Sequence, residues 1–159
     1  MNLNIRPMTE GDRAAVFELL RATTEFKPFE VKVAEEICDC YLSDPVGSGY
    51  QALVADWDGV PAGYICFGQT PLTVGTWDIY WLAVLRARRG RGLGKALVTH
   101  AEKSMAKARA RLIMLETSSK PEYEEARRFH LAQGYEVVGR VPDFYDIGDD
   151  KIVYWKRLR

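Results

Sequence analysis

Leu82-Ala83-Val84-Leu85-Arg86-Ala87-Arg88-Arg89-Gly90-Arg91-Gly92-Leu93-Gly94-Lys95-Ala96 decides how the rest of the chain must fold. An apolar, strand-like run ends in arginines and glycines, and a helical pattern starts at once. Glycines let the backbone approach a ligand closely, and the free N–H groups of a helix N-terminus carry the positive end of the helix dipole, so the stretch has the chemistry of an anion cradle. Two familiar phosphate motifs fail the spacing test. A P-loop needs a Gly where the chain has Arg89 and a Ser or Thr where it has Ala96. A dinucleotide fingerprint begun at Gly90 meets Lys95 in place of its last Gly or Ala, and begun at Gly92 it meets Leu97.

Upstream, Thr76 to Leu85 alternates as a strand, with Asp78, Tyr80, Leu82 and Val84 expected on one face and Ile79, Trp81, Ala83 and Leu85 on the other. Both faces are largely apolar, which predicts a central strand covered on both sides. Gln51 to Asp56 and Pro61 to Gly68 flank Asp58-Gly59 and predict an antiparallel hairpin. The chain begins with a short strand at Ile5 to Met8. A helix opened by the Thr9/Asp12 capping box follows, then a break at Phe26 to Pro28 and a second helix from about Val31 to Leu42.

Downstream, Leu93, Leu97, Ala101, Met105 and Ala108 mark one helical stripe. Leu112 to Thr117, a strand reached through that helix, must lie parallel to the Thr76 strand. Pro121 and the acids after it open a last helix, which Gly134 closes. Tyr135 to Val141 and Lys151 to Lys156 predict two final strands joined by a loop from Pro142 to Asp150. The expected fold class is α/β (α+β), one domain over residues 1–159. It has a mixed, mostly antiparallel sheet of about seven strands, helices on both faces and a parallel pair in the middle.

Charge narrows the function. Lys and Arg together number 22, as do Asp and Glu, so no global electrostatic footprint for nucleic acid exists. No window carries the roughly 20 apolar residues of a membrane span, and the N-terminus shows no basic region followed by an apolar core, so a cytoplasmic location is expected. Cys38, Cys40 and Cys66 make an odd count, which fits free thiols in a reducing compartment. The helical spacing of Cys38 and Cys40 turns them apart, and two distant histidines add no ligands, so no metal site is expected.

Arg89-Gly90-Arg91-Gly92-Leu93-Gly94 after Trp81-Leu82-Ala83-Val84 fits the pattern Arg/Gln-x-x-Gly-x-Gly/Ala, and Ala126-x-x-Phe129 and Gly134-Tyr135 follow later. With these motifs and its element order, nearly the whole chain resembles the GNAT superfamily of acetyl-CoA-dependent N-acetyltransferases. The resemblance implies that the amides of Arg89, Gly90, Arg91, Gly92, Leu93, Gly94 and Lys95 hold the CoA pyrophosphate. It also implies that the parallel strands splay apart and that the pantetheine arm pairs with the backbone around Leu82, Ala83 and Val84, meeting groups a neighbouring strand would otherwise satisfy. Basic residues dominate Arg86 to Arg111, whereas Glu116 to Asp150 is acid-rich, a partition suited to an anionic cosubstrate and a cationic amine.

Acetyl transfer to an amine needs a neutral lone pair, support for an oxyanion and a proton for the departing thiolate. The resemblance places a base at Asp78, where one branch of the family has glutamate, with Glu116 as rival. It places the oxyanion donor at a backbone N–H near Ala83 or Val84. Where the family often carries a tyrosine acid, this chain has His130, whose ordinary pKa of about 6.5 suits proton shuttling; Tyr123 and Tyr145 are other hydroxyl donors. Phe29, Tyr80 and Tyr145 are expected to border the acceptor, a small-molecule or peptide amine. A homodimer is compatible with all of this, and neither a nucleic acid nor a membrane partner is expected. Two rival functions stay open: an acyl-CoA-binding module without catalysis, and an RNA-directed acetyltransferase using Arg86 to Arg91.

Overall fold

In the computed structural model, which describes residues 2–159, the chain runs β1 (Leu3–Pro7), α1 (Arg13–Ala22), α2 (Pro28–Ser43), β2 (Gln51–Trp57), β3 (Val60–Gln69) and β4 (Thr76–Val84). It continues as α3 (Leu93–Lys107), β5 (Leu112–Ser118), α4 (Glu124–Ala132), β6 (Glu136–Asp146) and β7 (Asp149–Arg157). The seven strands form one mixed sheet in the order β1-β2-β3-β4-β5-β7-β6. Every neighbouring pair is antiparallel except β4 and β5.

Each face of the sheet has its own core. Leu93, Leu97, Ala101 and Met105 of α3 pack with Ile65, Phe67, Ile113 and Leu115, and Phe129 of α4 joins them. On the other face Val16 and Leu20 of α1 and Ala34 and Cys38 of α2 pack with Val54, Tyr64 and Cys66. Arg6 ties the edge strand in. Its guanidinium donates to Asp12 at 2.7 Å and to Asp56 at 2.6 Å, while the Thr9 amide donates to Asp12 Oδ2 at 2.8 Å, closing the expected capping box from one side. The Arg6 hydrogen bond holds the Asp12 carboxyl below the usual carboxylate range.

Three local expectations are corrected. Pro28 does not break a helix but sits in the first turn of α2, where its missing N–H has no intrahelical acceptor to lose. The connection expected from Pro142 to Asp150 is largely strand, leaving only Ile147 and Gly148 between β6 and β7. Val141 pairs with Lys151 and Asp146 with Asp149, so Pro142 to Tyr145 bulge out opposite Asp150 alone. The simple alternation of β4 also fails. Trp81 pairs with Cys66 and Ile79 with the next residue, Phe67, so Tyr80 is the extra residue of a bulge and the faces exchange there. Trp77 and Ile79 therefore share the α3-side core with Leu82 and Val84, while Trp81 and Ala83 pack on the side of α1 and α2.

The parallel seam is short. Thr76, Trp77 and Asp78 pair with Leu112, Ile113 and Met114, and among the described residues no β4–β5 pair forms beyond Asp78. The backbone edge of β4 from Ile79 to Val84 thus lacks a strand partner on its β5 side. Among the described residues no helix is long and apolar enough to cross a membrane.

Candidate active site

A cavity of about 380 Å³ opens where β4 loses its parallel neighbour. Leu82, Ala83 and Val84 form one wall, and the loop from Arg88 with the first turn of α3 forms its mouth. Tyr123, Ala126, Phe129 and His130 come from the α4 side, and Thr23, Glu25 and Phe26 from the α1–α2 connection.

The glycines at the mouth have two separate causes. Gly90 (φ 73°) and Gly92 (φ 86°) adopt left-handed backbone, and a Cβ on either would meet nothing within 4 Å, so conformation rather than space requires glycine. A Cβ on Gly94 would lie 3.3 Å from the Phe129 ring, so here glycine permits α3 to approach α4. The N–H groups of Leu93, Gly94 and Lys95 are the first of α3 and have no acceptor within the helix.

A roof crosses the cavity. Arg89 donates to the two Glu25 carboxylate oxygens at 2.8 and 3.3 Å and to the Val84 carbonyl at 3.3 Å, and Glu125 lies 3.7 Å away. Tyr123 donates its hydroxyl hydrogen to the Glu25 carbonyl at 3.0 Å, with Glu30 Oε2 at 3.4 Å. Arg89 holds the Glu25 carboxyl below its ordinary range, and burial beside Glu30 raises the Tyr123 hydroxyl well above its own. The Arg89 side chain is thus spent inside the protein, which leaves an anion at the mouth to the backbone amides and the neighbouring cations.

His130 is 8% exposed, ringed by Phe129, Tyr135 and Tyr154 at centroid distances of 5.5, 6.3 and 5.9 Å, and its Nδ1 has no partner. Burial pushes the imidazole down to about 4. The ring is thus neutral at neutral pH, with one nitrogen carrying an N–H and the other able to accept.

Of the residues expected at the site, the cavity gathers Leu82, Ala83, Val84, Arg89, Gly90, Gly92, Leu93, Gly94, Lys95 and His130. Arg91 lies outside it, over the Trp57 ring. Asp78, Glu116, Tyr80, Tyr145 and Phe29 also lie outside its lining. Asp78 is paired with Met114 and Glu116 follows two residues later, so both carboxylates project to the sheet face that carries α1 and α2, at the start of the splay.

There Asp78 accepts a hydrogen bond from Thr70 Oγ1, and Glu116 pairs with Lys151 at 3.0 Å. Tyr80 meets Tyr50 edge-on at 5.5 Å. Tyr145 is pushed up to about 12 by burial, reinforced by the charges of Glu116, Asp149 and Glu30. Phe29 is 65% exposed. Sequence reasoning missed Glu25, whose part in the site depends on a tertiary partner far along the chain. The thiols of Cys38 and Cys66 are raised by burial to about 11 and about 12, so neither is a ready nucleophile.

The profile of the acetyltransferase (GNAT) family matches residues 13–135. The chain belongs to the GNAT acetyltransferase family, and it is an acyltransferase. It is similar to a crystallised protein from Desulfovibrio desulfuricans assigned to the GNAT family, at 34% identity over 99% of this chain and 100% of that one, with a TM-score of 0.95. The fold is also that of an aminoglycoside 6′-N-acetyltransferase crystallised with coenzyme A (21% identity, 98% and 97% covered, TM-score 0.77). Another structure of the same fold is the ribosomal-protein-S18-alanine N-acetyltransferase of Escherichia coli (16% identity, 99% and 94% covered, TM-score 0.79). No curated protein matches significantly.

Proposed function

We propose that this acetyltransferase, acting as one domain over its 159 residues, moves an acetyl group from acetyl-CoA to a primary amine by direct attack in a ternary complex. The continuity of the cavity carries this reading. Free helix N-terminal amides at its mouth run directly into the partnerless edge of β4, the two surfaces wanted by a diphosphate followed by an arm of amides. The crystallisation of one structural relative with coenzyme A is in keeping with it.

Bound acetyl-CoA supplies a thioester, the activated acetyl group. Leu93, Gly94 and Lys95 bind the diphosphate through their amides, and the edge from Leu82 to Val84 orients the arm. A backbone N–H near Ala83 or Val84 faces the developing oxyanion. The Glu25 roof, pinned by Arg89 and Tyr123, keeps water from the arm. Asp78 takes the amine proton, through water; its one side-chain partner is the neutral Thr70 hydroxyl, whereas Glu116 already pairs with Lys151. The neutral His130 ring offers an N–H toward the departing sulfur, and Tyr80, Tyr145 and Phe29 border the incoming amine.

The choice between a small-molecule and a peptide amine is tested by screening both against acetyl-CoA while free thiol is measured. A thermal-shift comparison comes first: acetyl-CoA stabilises the protein, while ATP and NAD do not. Stabilisation by ATP or NAD alone would sink the cosubstrate assignment, and thiol release with no amine in the panel would leave the acceptor assignment without support.

A further inference from the structure

Arg88 and Arg91 converge on one ring. Their guanidinium carbons lie 5.5 and 5.9 Å from the centre of Trp57, at the end of β2, and the Trp57 residue is only 7% exposed. Neither guanidinium has a carboxylate partner among the described residues, whereas Arg89 between them is fully engaged with Glu25. A solvated basic face spreads its charges apart; here two like charges are brought to a single ring next to the cavity mouth. A guanidinium held over a ring without a carboxylate partner keeps N–H donors free, and these match phosphate oxygens.

We propose that Arg88 and Arg91, on the Trp57 platform, form a phosphomonoester subsite that receives the 3′-phosphate of the CoA ribose and makes the protein select CoA over 3′-dephospho-CoA. This rests on the cosubstrate reading above. The division of labour follows from charge. The diphosphate sits on backbone amides, which provide partial charges, while a phosphomonoester carries about −1.5 to −2 at neutral pH and calls for full positive charges. In CoA the two groups are separated by little more than the ribose. Arg88 and Arg91 flank the loop that would hold the first and have side chains long enough to reach the second.

The test measures dissociation constants of CoA and 3′-dephospho-CoA by calorimetry at one ionic strength, for the wild type, Arg88→Gln, Arg91→Gln and the double variant. The wild type is expected to prefer CoA by about tenfold or more, the scale of one or two charge-assisted hydrogen bonds. The single variants lose part of that preference. The double variant binds both ligands about equally, having lost far more affinity for CoA than for 3′-dephospho-CoA. Raised salt narrows the wild-type preference and leaves the double variant untouched. A wild type that does not discriminate, or a double variant that discriminates as well as the wild type, overturns the subsite while leaving the cosubstrate reading intact. Failure of the wild type to bind either ligand removes both.

Discussion

Arg89 holds Glu25 across 64 positions of sequence, with Nη1 to Oε1 at 2.8 Å and Nη2 to Oε2 at 3.3 Å. The pair fixes the α1–α2 connection over the cavity, so it couples stability to ligand binding. Glu25→Gln and Arg89→Gln should each cost about 1–2 kcal/mol in urea unfolding, and their double-mutant cycle should show a coupling of about 1 kcal/mol. Acetyl-CoA should bind several-fold more weakly to each. Because Arg89 depresses the Glu25 carboxyl, this contribution is complete above the ordinary glutamate value of about 4.3 and disappears as pH falls through the lower folded value.

The chain has only two histidines, which makes His130 easy to follow. Its ring signal in NMR should show no midpoint between pH 5.5 and 8 and should titrate near 4. An unfolded histidine takes its proton near 6.5 and the folded one only near 4. The native state therefore keeps its full advantage above about 6.5 and loses about 3 kcal/mol on acidification to about 4. His130→Phe should abolish that acid-side slope, and kcat should fall by about tenfold or more if the ring N–H serves the leaving sulfur.

Gly92 and Gly94 should respond differently to alanine. At Gly92, with φ 86° and ψ 3°, a Cβ has room but forces left-handed backbone, so Gly92→Ala should lose about 1–2 kcal/mol in thermal or urea unfolding. At Gly94 the backbone is ordinary and the obstacle is the Phe129 ring at 3.3 Å, a movable side chain. The gain in helix propensity, up to about 1 kcal/mol, should largely offset that displacement and leave stability nearly unchanged.

Asp78→Asn should lower kcat/KM about 100-fold while leaving acetyl-CoA affinity as it is, because Asp78 lies outside the cavity lining. Glu116→Gln removes a charge already shared with Lys151 and should cost less than about tenfold. A reversed order in steady-state kinetics would transfer the base role to Glu116.

The element order and the glycine loop were legible because both are local: periodicity marks strands and helices, and the spacing of Gly90, Gly92 and Gly94 carries its own conformational demand. What escaped the sequence depends on pairing or packing. The Tyr80 bulge exists only because β3 offers one residue fewer than β4, and nothing in Ile79-Tyr80-Trp81 announces it. The length of β6 was hidden by Pro142 and Asp143, which look like loop residues but occupy a bulge on an edge strand. His130 could be located by its spacing from Gly134, but its lowered pKa comes from burial among Phe129, Tyr135 and Tyr154. Glu25 had no signal at all.

Among the described residues, the three pairs between β4 and β5 are the only strand pairing that joins a four-stranded plate to a three-stranded one. Such a sheet is two panels on a short hinge, and most of the facing edges are open to pairing by something that is not protein. A ligand lying along β4 as an extra strand would act as a splint as well as a reactant. Amide exchange at Ile79 to Val84 should then slow on cosubstrate binding far more than in the hairpin of β2 and β3, and the catalytically competent sheet would be one that the chain completes only together with the molecule it consumes.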